Sequence, residues 1–443
     1  MDGRKKINVV LSFACALLLL CCWCMYTDTF QLLLGCQKDV LTVGVFSDSY
    51  WEVQNGYSYQ ILEDAIGLFE EQHPGVQVEY ASGILKEDYS SWLAEQLLAD
   101  TLPDVFFVLP EDFNNFAELG ALMDLEPFIS KDAEFHRERF FASAYEYGQY
   151  NGMQRSLPYE CAPKLMFINK TILDKEGIAI PEEDWTWSEF YHICEKVTKD
   201  TDGNGTIDQF GVVGYTWEEA FESNGVQLFN QQGTECCLAD ERVEPALAFI
   251  EKLETLNDGY TAAYNDFDLG KVVFQPMSFS EYRAYKPYPL NIKKYTSFEW
   301  GCIPMPAGPD GGNNSTLDTL LLAMNEKTLH SEYAWDFMKL LTCDPQIQAE
   351  IFDYSEGVSV LKEVTESDET LQRLIESSGD SNILNLEILS NAVEHAVTVP
   401  RFRNYDRALE EVSKAVGDII DSDSNIHMAQ IIWNRRINQS LEN

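Results

Sequence analysis

An α/β fold in two lobes, each built on a doubly wound sheet, is predicted for this 443-residue chain by three features. Over residues 40–119, strand-like and helix-like segments alternate as β-α-β-α-β, the order of a doubly wound sheet. Within it Asp104–Leu109 reads DVFFVL, apolar along its length, as suits a parallel strand buried on both faces. The third feature is Leu157–Phe190, where an extended segment, a short helix and a capped longer helix sit directly after a chain crossing between lobes.

Val40–Phe46 alternates and then runs apolar, a first strand. The polar loop Ser47–Ser58 carries Tyr50 and Trp51. Tyr59–Gln72 places Ile61, Ala65, Leu68 and Phe69 on one helical face, and His73-Pro74-Gly75 breaks it. Val76–Tyr80 is a second strand, and Tyr89–Ala99 a helix that ends near Leu102-Pro103. Pro110-Glu111-Asp112 follow the apolar strand, and Phe113–Leu119 starts the next helix. Ligands of such sheets bind beyond the carboxyl ends of the strands, which gathers Tyr50, Trp51, Glu111 and Asp112 at one edge. Flat rings can stack on the apolar face of a ligand, and carboxylates can accept hydrogen bonds from its polar groups. Plain packing is the other reading of the Tyr50–Trp51 pair.

In the organising stretch, Lys164–Ile168 reads as a buried strand, Thr171–Glu176 as a short helix stopped by Gly177. Thr186 caps the next helix, and Glu189 completes a capping box. That helix, Ser188–Thr198, enters the loop Asp200–Asp208. Asp200, Asp202 and Asn204 alternate as oxygen ligands, Gly205 allows the tight turn, Thr206 offers its carbonyl, and Asp208 follows. The pattern predicts a hard-cation loop holding structural Ca2+. Gly211 stands where an EF-hand has its bidentate glutamate, so a further carboxylate must complete the site; the alternative is an Asx-rich turn without metal. Gln209–Tyr215 is a strand, Trp217-Glu218-Glu219 begins a helix, and Val243–Leu256 is another. Later come a strand at Thr316–Met324, helices at Glu332–Leu341 and Gln346–Phe352, and a lobe crossing at Gly357–Val364. Leu371–Ile375, Leu386–Val393, Tyr405–Ile420 and Met428–Asn438 are read as helices.

Leu157-Pro158-Tyr159-Glu160, Phe167-x-Asn169-Lys170, Gly177-Ile178, Pro181 and Thr186-Trp187-x-Glu189-Phe190 together resemble the signature of bacterial extracellular solute-binding proteins of the sugar-binding type. These are the ligand receptors of ABC importers. Pro103-Asp104-Val105, Phe267-x-x-Gly270-Lys271, Trp300-Gly301 through Gly308-Pro309 and Ala334-Trp335-x-Phe337 resemble further family motifs in the same order. The resemblance spans about residues 40–440. It implies a two-lobed, periplasmic-binding-protein-like fold of type II, joined by a multi-crossing hinge and closing on its solute by hinge bending. Residues 1–36 would be a leader, 40–150 with 305–357 the first lobe, and 151–304 with 358–443 the second. It places ligand contacts at Tyr159, Glu160 and Trp217. Ser278 and Phe279 depart from the glycine and tryptophan usual there, and Tyr282 could replace the stacking ring.

The implied function is that of a monomeric receptor without chemistry of its own, binding a carbohydrate, such as an oligosaccharide, and handing it to membrane permease subunits. An extracellular carbohydrate-active hydrolase, or a receptor for a peptide or polyamine, are the alternatives. A hydrolase needs two carboxylates across the scissile bond, and among 73 acidic residues such a pair exists by chance. Nucleophile motifs are poor: neither G-x-S-x-G nor H-E-x-x-H occurs, and Ser359–Lys362 lacks its partner motifs.

A formal charge of −42 repels nucleic acid and anionic lipid, and neither is an expected partner. Arg4-Lys5-Lys6 precede the uncharged run Ile7–Thr27, a secretory leader. Leu33-Leu34-Gly35-Cys36 looks like a lipobox, which would make Cys36 a diacylated anchor on the outer face of the cell membrane. Asp28 and neighbouring polar residues separate the two, so an uncleaved N-terminal anchor is the alternative. Six further cysteines lack C-x-x-C spacing and read as small buried residues, with a disulfide left open.

Overall fold

The computed structural model describes residues 38–51, 57, 59–284, 298–378, 385–420 and 426–441. The leader and Cys36 lie outside these. The first lobe opens with β1 (Asp39–Gly44), paired in parallel with β2 (Val76–Tyr80) and β3 (Val105–Val108). A short hairpin of β4 (Gln149–Tyr150) and β5 (Met153–Gln154) leads into β6 (Ser156–Asn169), 14 residues long. The second lobe supplies β7 (Phe210–Val212), β8 (Val272–Ser278) and β9 (Trp300–Ile303). The chain then returns as β10 (Leu317–Met324) and β11 (Val358–Ser359).

The strand order is β2-β1-β3-β10-β6-β8-β7, with β9 and β11 also on β6. Residues Ser156–Pro163 pair with β10, whereas Lys164–Ile168 pair with β8. One continuous strand therefore belongs to both sheets. Its sequence forbids a simple ladder, because prolines 158 and 163 have no amide hydrogen to donate. Pro158 sits where the pairing register shifts between Leu320 and Leu321, a bulge, and Pro163 where one sheet gives way to the other. The sequence reading of Lys164–Ile168 as a separate strand is thus extended backward to Ser156.

Apolar side chains fall into two clusters. The first runs mainly through residues 41–165 and 317–393. The second runs through residues 166–303 and 402–437. Three segments pass between them: β6 at Lys164, residues 304–316, and residues 396–401. They are tied together, since the Lys164 amide donates to the Thr316 carbonyl (3.2 Å) and the Val397 amide to the Ser315 carbonyl (2.8 Å). The third crossing expected at Gly357–Val364 is corrected. There β11 adds to β6 at Glu160 and Cys161, inside the first sheet. A chain that has just joined that sheet buries its next helices on it, so Val364, Leu374, Leu389 and Val393 pack in the first cluster. Residues 358–396 therefore stay with the first lobe rather than the second.

Thr186 and Glu189 form the capping box read from the sequence, the Thr186 amide donating to Glu189 Oε2 at 2.8 Å. Replacing Thr186 by Ala is expected to cost about 1 kcal/mol and to lower the melting temperature by about 2 °C. Thr186→Ser should leave it unchanged in the same thermal scan.

Candidate functional site

Loop residues after β1, the first turn of helix Pro110–Glu118 and the start of β10 meet at one edge of the first sheet. Tyr50 donates its hydroxyl to Asp318 Oδ1 at 2.7 Å, and its ring meets Trp51 edge-on at 4.5 Å. Lys86 donates to the Tyr50 carbonyl at 2.6 Å and lies 4.9 Å from the centre of its ring. Tyr50 and Trp51 are only 7% and 8% exposed, so neither ring offers an open face in this conformation. Tyr159 is likewise enclosed, packed on Phe107 at 5.0 Å. Burial pushes the Tyr50 hydroxyl well above its ordinary pKa, and Asp318 adds to the shift.

Glu111 and Asp112 occupy the first helical turn, and burial raises the pKa of both. Glu111 senses Lys86 and Asp318, so it belongs to the Tyr50 cluster; Asp112 senses Asp406, carried by the helix Tyr405–Ile420. Glu160 sits one strand over, fully enclosed, with Ser355 donating to it at 2.5 Å. Burial raises its pKa to about 7, against the lowering effect of Ser355. Gly357 is required beside it: a methyl group there would lie 2.5 Å from Glu160 Oε2 and 2.9 Å from Trp51 Nε1.

On the second-lobe side of the hinge, a cavity of about 370 Å³ is lined by Lys164, Trp217, Phe221, Glu222, Thr316, residues 397–400 and Tyr405. Trp217 and Tyr405 are half-buried and present ring surface to it. Lys164 donates to Glu219 Oε1 at 2.6 Å, while Glu219 Oε2 accepts the Thr216 amide at 2.8 Å. The same carboxylate therefore caps helix Trp217–Ser223 and neutralises the hinge lysine. Burial works against both charges, but their pairing raises the Lys164 pKa and lowers that of Glu219. Among the described residues Glu222 has no ion pair of its own. Burial, then Glu219 and Glu218, push it up to about 8 despite Lys164.

Arg401, on the third crossing, connects the two halves. Its guanidinium lies 3.8 Å from the centre of the Tyr147 ring, and Tyr147 in turn senses Asp318 and Glu111. Arg401, Tyr147, Asp318, Lys164, Glu222 and Tyr405 were not legible as site residues, since no local pattern marks them. The chain brings them together only because three distant segments cross at one place.

Other expected residues stand apart. Ser278 caps helix Phe279–Ala284, its amide donating to Glu281 Oε2 at 3.0 Å. Phe279 is completely buried in the first apolar cluster, so it lines no cleft. The helix must pack that ring inward to seat on β6. Of Tyr282 only the helical backbone is described.

The loop from Asp200 brings side-chain oxygens of Asp200, Asp202 and Asp208 within 4.8 Å of one another. Asp200 accepts the Gly203 and Gly205 amides, each at 2.7 Å, and Asn204 accepts the Thr206 amide at 2.8 Å. These amide bonds, that from Gly205 foremost, lower the Asp200 pKa. Gly203 and Gly205 have φ of 77° and 90°, which side chains rarely adopt. Asp208 instead holds Thr201, at 2.8 and 2.9 Å. The six described cysteines are free thiols.

Residues 52–346 match the family described as bacterial extracellular solute-binding protein, and the chain belongs to it. It is 20% identical over 394 residues to the maltotriose-binding protein of Pyrococcus abyssi, covering 86% of this chain and 79% of that one. An ABC substrate-binding protein of Listeria monocytogenes, solved with cycloalternan, superposes with a TM-score of 0.67 at 20% identity, covering 91% of this chain and 99% of the other. The cyclic α-maltosyl-1,6-maltose binding protein of Arthrobacter globiformis superposes at 0.74 with 16% identity, over 91% and 99%. The fold is that of the type II binding proteins.

Glu160 and Glu222 carry raised pKa values, about 7 and about 8. Each binds more proton when folded than when unfolded, so stability falls as pH rises from the ordinary carboxylate range toward 8. Glu160→Gln should flatten the part of that fall between pH 4.5 and 7, by at most about 3 kcal/mol. Urea unfolding at a series of pH values reads this directly, and parallel curves for the two proteins would show that Glu160 is ionised in the fold.

Proposed function

We propose that this chain is the substrate-binding receptor of an ABC importer, that it takes a carbohydrate, an oligosaccharide in particular, at the hinge cavity, and that it does no chemistry on it. The observation that carries this reading is the pairing of half-buried Trp217 and Tyr405 with Lys164 and Glu222 around one cavity. Rings and hydrogen-bonding groups side by side match the two kinds of surface a sugar presents. The family and the sugar-binding proteins that share the fold support the same ligand class. Trp217 takes the stacking role, whereas Tyr50, Trp51 and Tyr159 act as the packed wall behind Glu111 and Asp318. Hinge closure would bring the two walls together, and permease subunits would receive the solute. Cys36 would tether the receptor to the outer face of the membrane.

A thermal-shift screen against mono- and oligosaccharides tests the ligand class. A binder present at 100 times its Kd should add about 2.7 kcal/mol of stability, with the sugar recovered unchanged. Trp217→Ala should weaken binding by about 1–3 kcal/mol. If no sugar shifts the midpoint, or one is cleaved, the carbohydrate-receptor reading falls.

The loop Asp200–Asp208 would hold structural Ca2+, with Asp200, Asp202, Asn204, the Thr206 carbonyl and Asp208 as ligands. Its oxygens are hard donors, and three of its carboxylates lie close together in the fold. Calcium titration followed by calorimetry should show binding in the intact protein and none in Asp200→Asn/Asp202→Asn. Absence of heat in the intact protein would leave the loop an Asx-rich turn.

A further inference from the structure

We propose that the end of the first lobe where β1 begins is a membrane-resting face, held against the lipid bilayer by exposed leucines. A groove of about 370 Å³ opens there, where β1 and β3 start and β10 ends. This is the opposite end of the sheet from Tyr50, Glu111 and Asp318. Leu119 and Leu329 line it beside Val40 and Leu97, and Leu98 follows Leu97 on the helix that ends there. Leu329, Leu98 and Leu119 are 93%, 88% and 70% exposed, the three most exposed large apolar side chains among the described residues. Scattered apolar residues on a surface need no explanation, but the extremes of one chain collected around one groove do.

Two acidic groups that line the groove are engaged within the fold. Asp100 pairs with Lys327 at 2.5 Å. Asp104 accepts the Thr42 amide at 2.8 Å and the Thr328 hydroxyl at 2.5 Å.

The length of chain before the groove selects the occupant. The inference rests on the lipid-anchor reading of Cys36. Only Gln37 and Lys38 separate that residue from Asp39, the first residue of β1. Three residues extend about 10 Å at most, so an acyl anchor at Cys36 keeps the groove within that distance of the bilayer. At such range the tether supplies a high effective concentration, and a few leucines suffice to dip into the headgroup boundary. The solute-binding edge of the first lobe then points to the medium, and delivery requires the protein to pivot about its anchor.

The test uses the full lipoprotein in phosphatidylcholine vesicles without permease, beside a variant carrying a long Gly/Ser linker after Cys36. Intact mass first establishes diacylation, and hydroxyl-radical footprinting then reads leucine oxidation. Leu98, Leu119 and Leu329 should oxidise several-fold more slowly with the native tether than with the linker, while Leu269 and Ile432 oxidise equally in both. Equal rates for all five in a diacylated protein overturn the proposal. Protection that disappears on diluting the protein at constant lipid assigns the face to a second copy and overturns it also. A mass without acyl chains removes the anchor reading and this inference with it.

Discussion

Everything in this molecule depends on β6 serving two sheets at once. Its first eight residues close the first sheet against β10, and its remaining residues open the second against β8 and β9. Hydrogen bonds on both sides hold it straight through the lobe boundary, so the boundary cannot drift along the chain. The two prolines are tolerated because one falls at a bulge and the other at the changeover between partners. The other two crossings run alongside β6 at Lys164.

That place is also where charge is concentrated. Lys164, Glu219 and Glu222 lie around the crossings, and Arg401 reaches from the third crossing to Tyr147. The Lys164–Glu219 pair is satisfied on both sides, which keeps a buried ion pair from being a liability. Glu222 is the group left over, held by the Thr316 backbone and crowded by two other carboxylates. A polar ligand in the adjoining cavity meets a site whose hydrogen-bonding capacity is partly unspent.

Two demands compete for the aromatic residues. Tyr50, Trp51 and Tyr159 stand at the strand edge where a ligand would bind, yet each is needed to seal the first core. Lys86 occupies the neighbourhood of the Tyr50 ring, as Arg401 does that of Tyr147. Trp217 and Tyr405 are only partly drawn into the second core, and both also line the hinge cavity.

The sequence by itself determined the alternation of strands and helices, because periodicity and caps are local properties. Val76–Tyr80 and Tyr405–Ile420 have the bounds their patterns predict, and the Thr186–Glu189 box forms as its spacing requires. Ordered motifs carried the family as well. Local signals could place Glu111 and Asp112 after an apolar strand and gather the Asp200 loop, since these depend on neighbours in the chain. Only the tertiary structure decided that residues 358–396 return to the first lobe, that Phe279 turns inward, and that Arg401 meets Tyr147. Those outcomes rest on contacts between segments hundreds of residues apart, where the energy of burial and strand pairing outweighs anything a local pattern encodes.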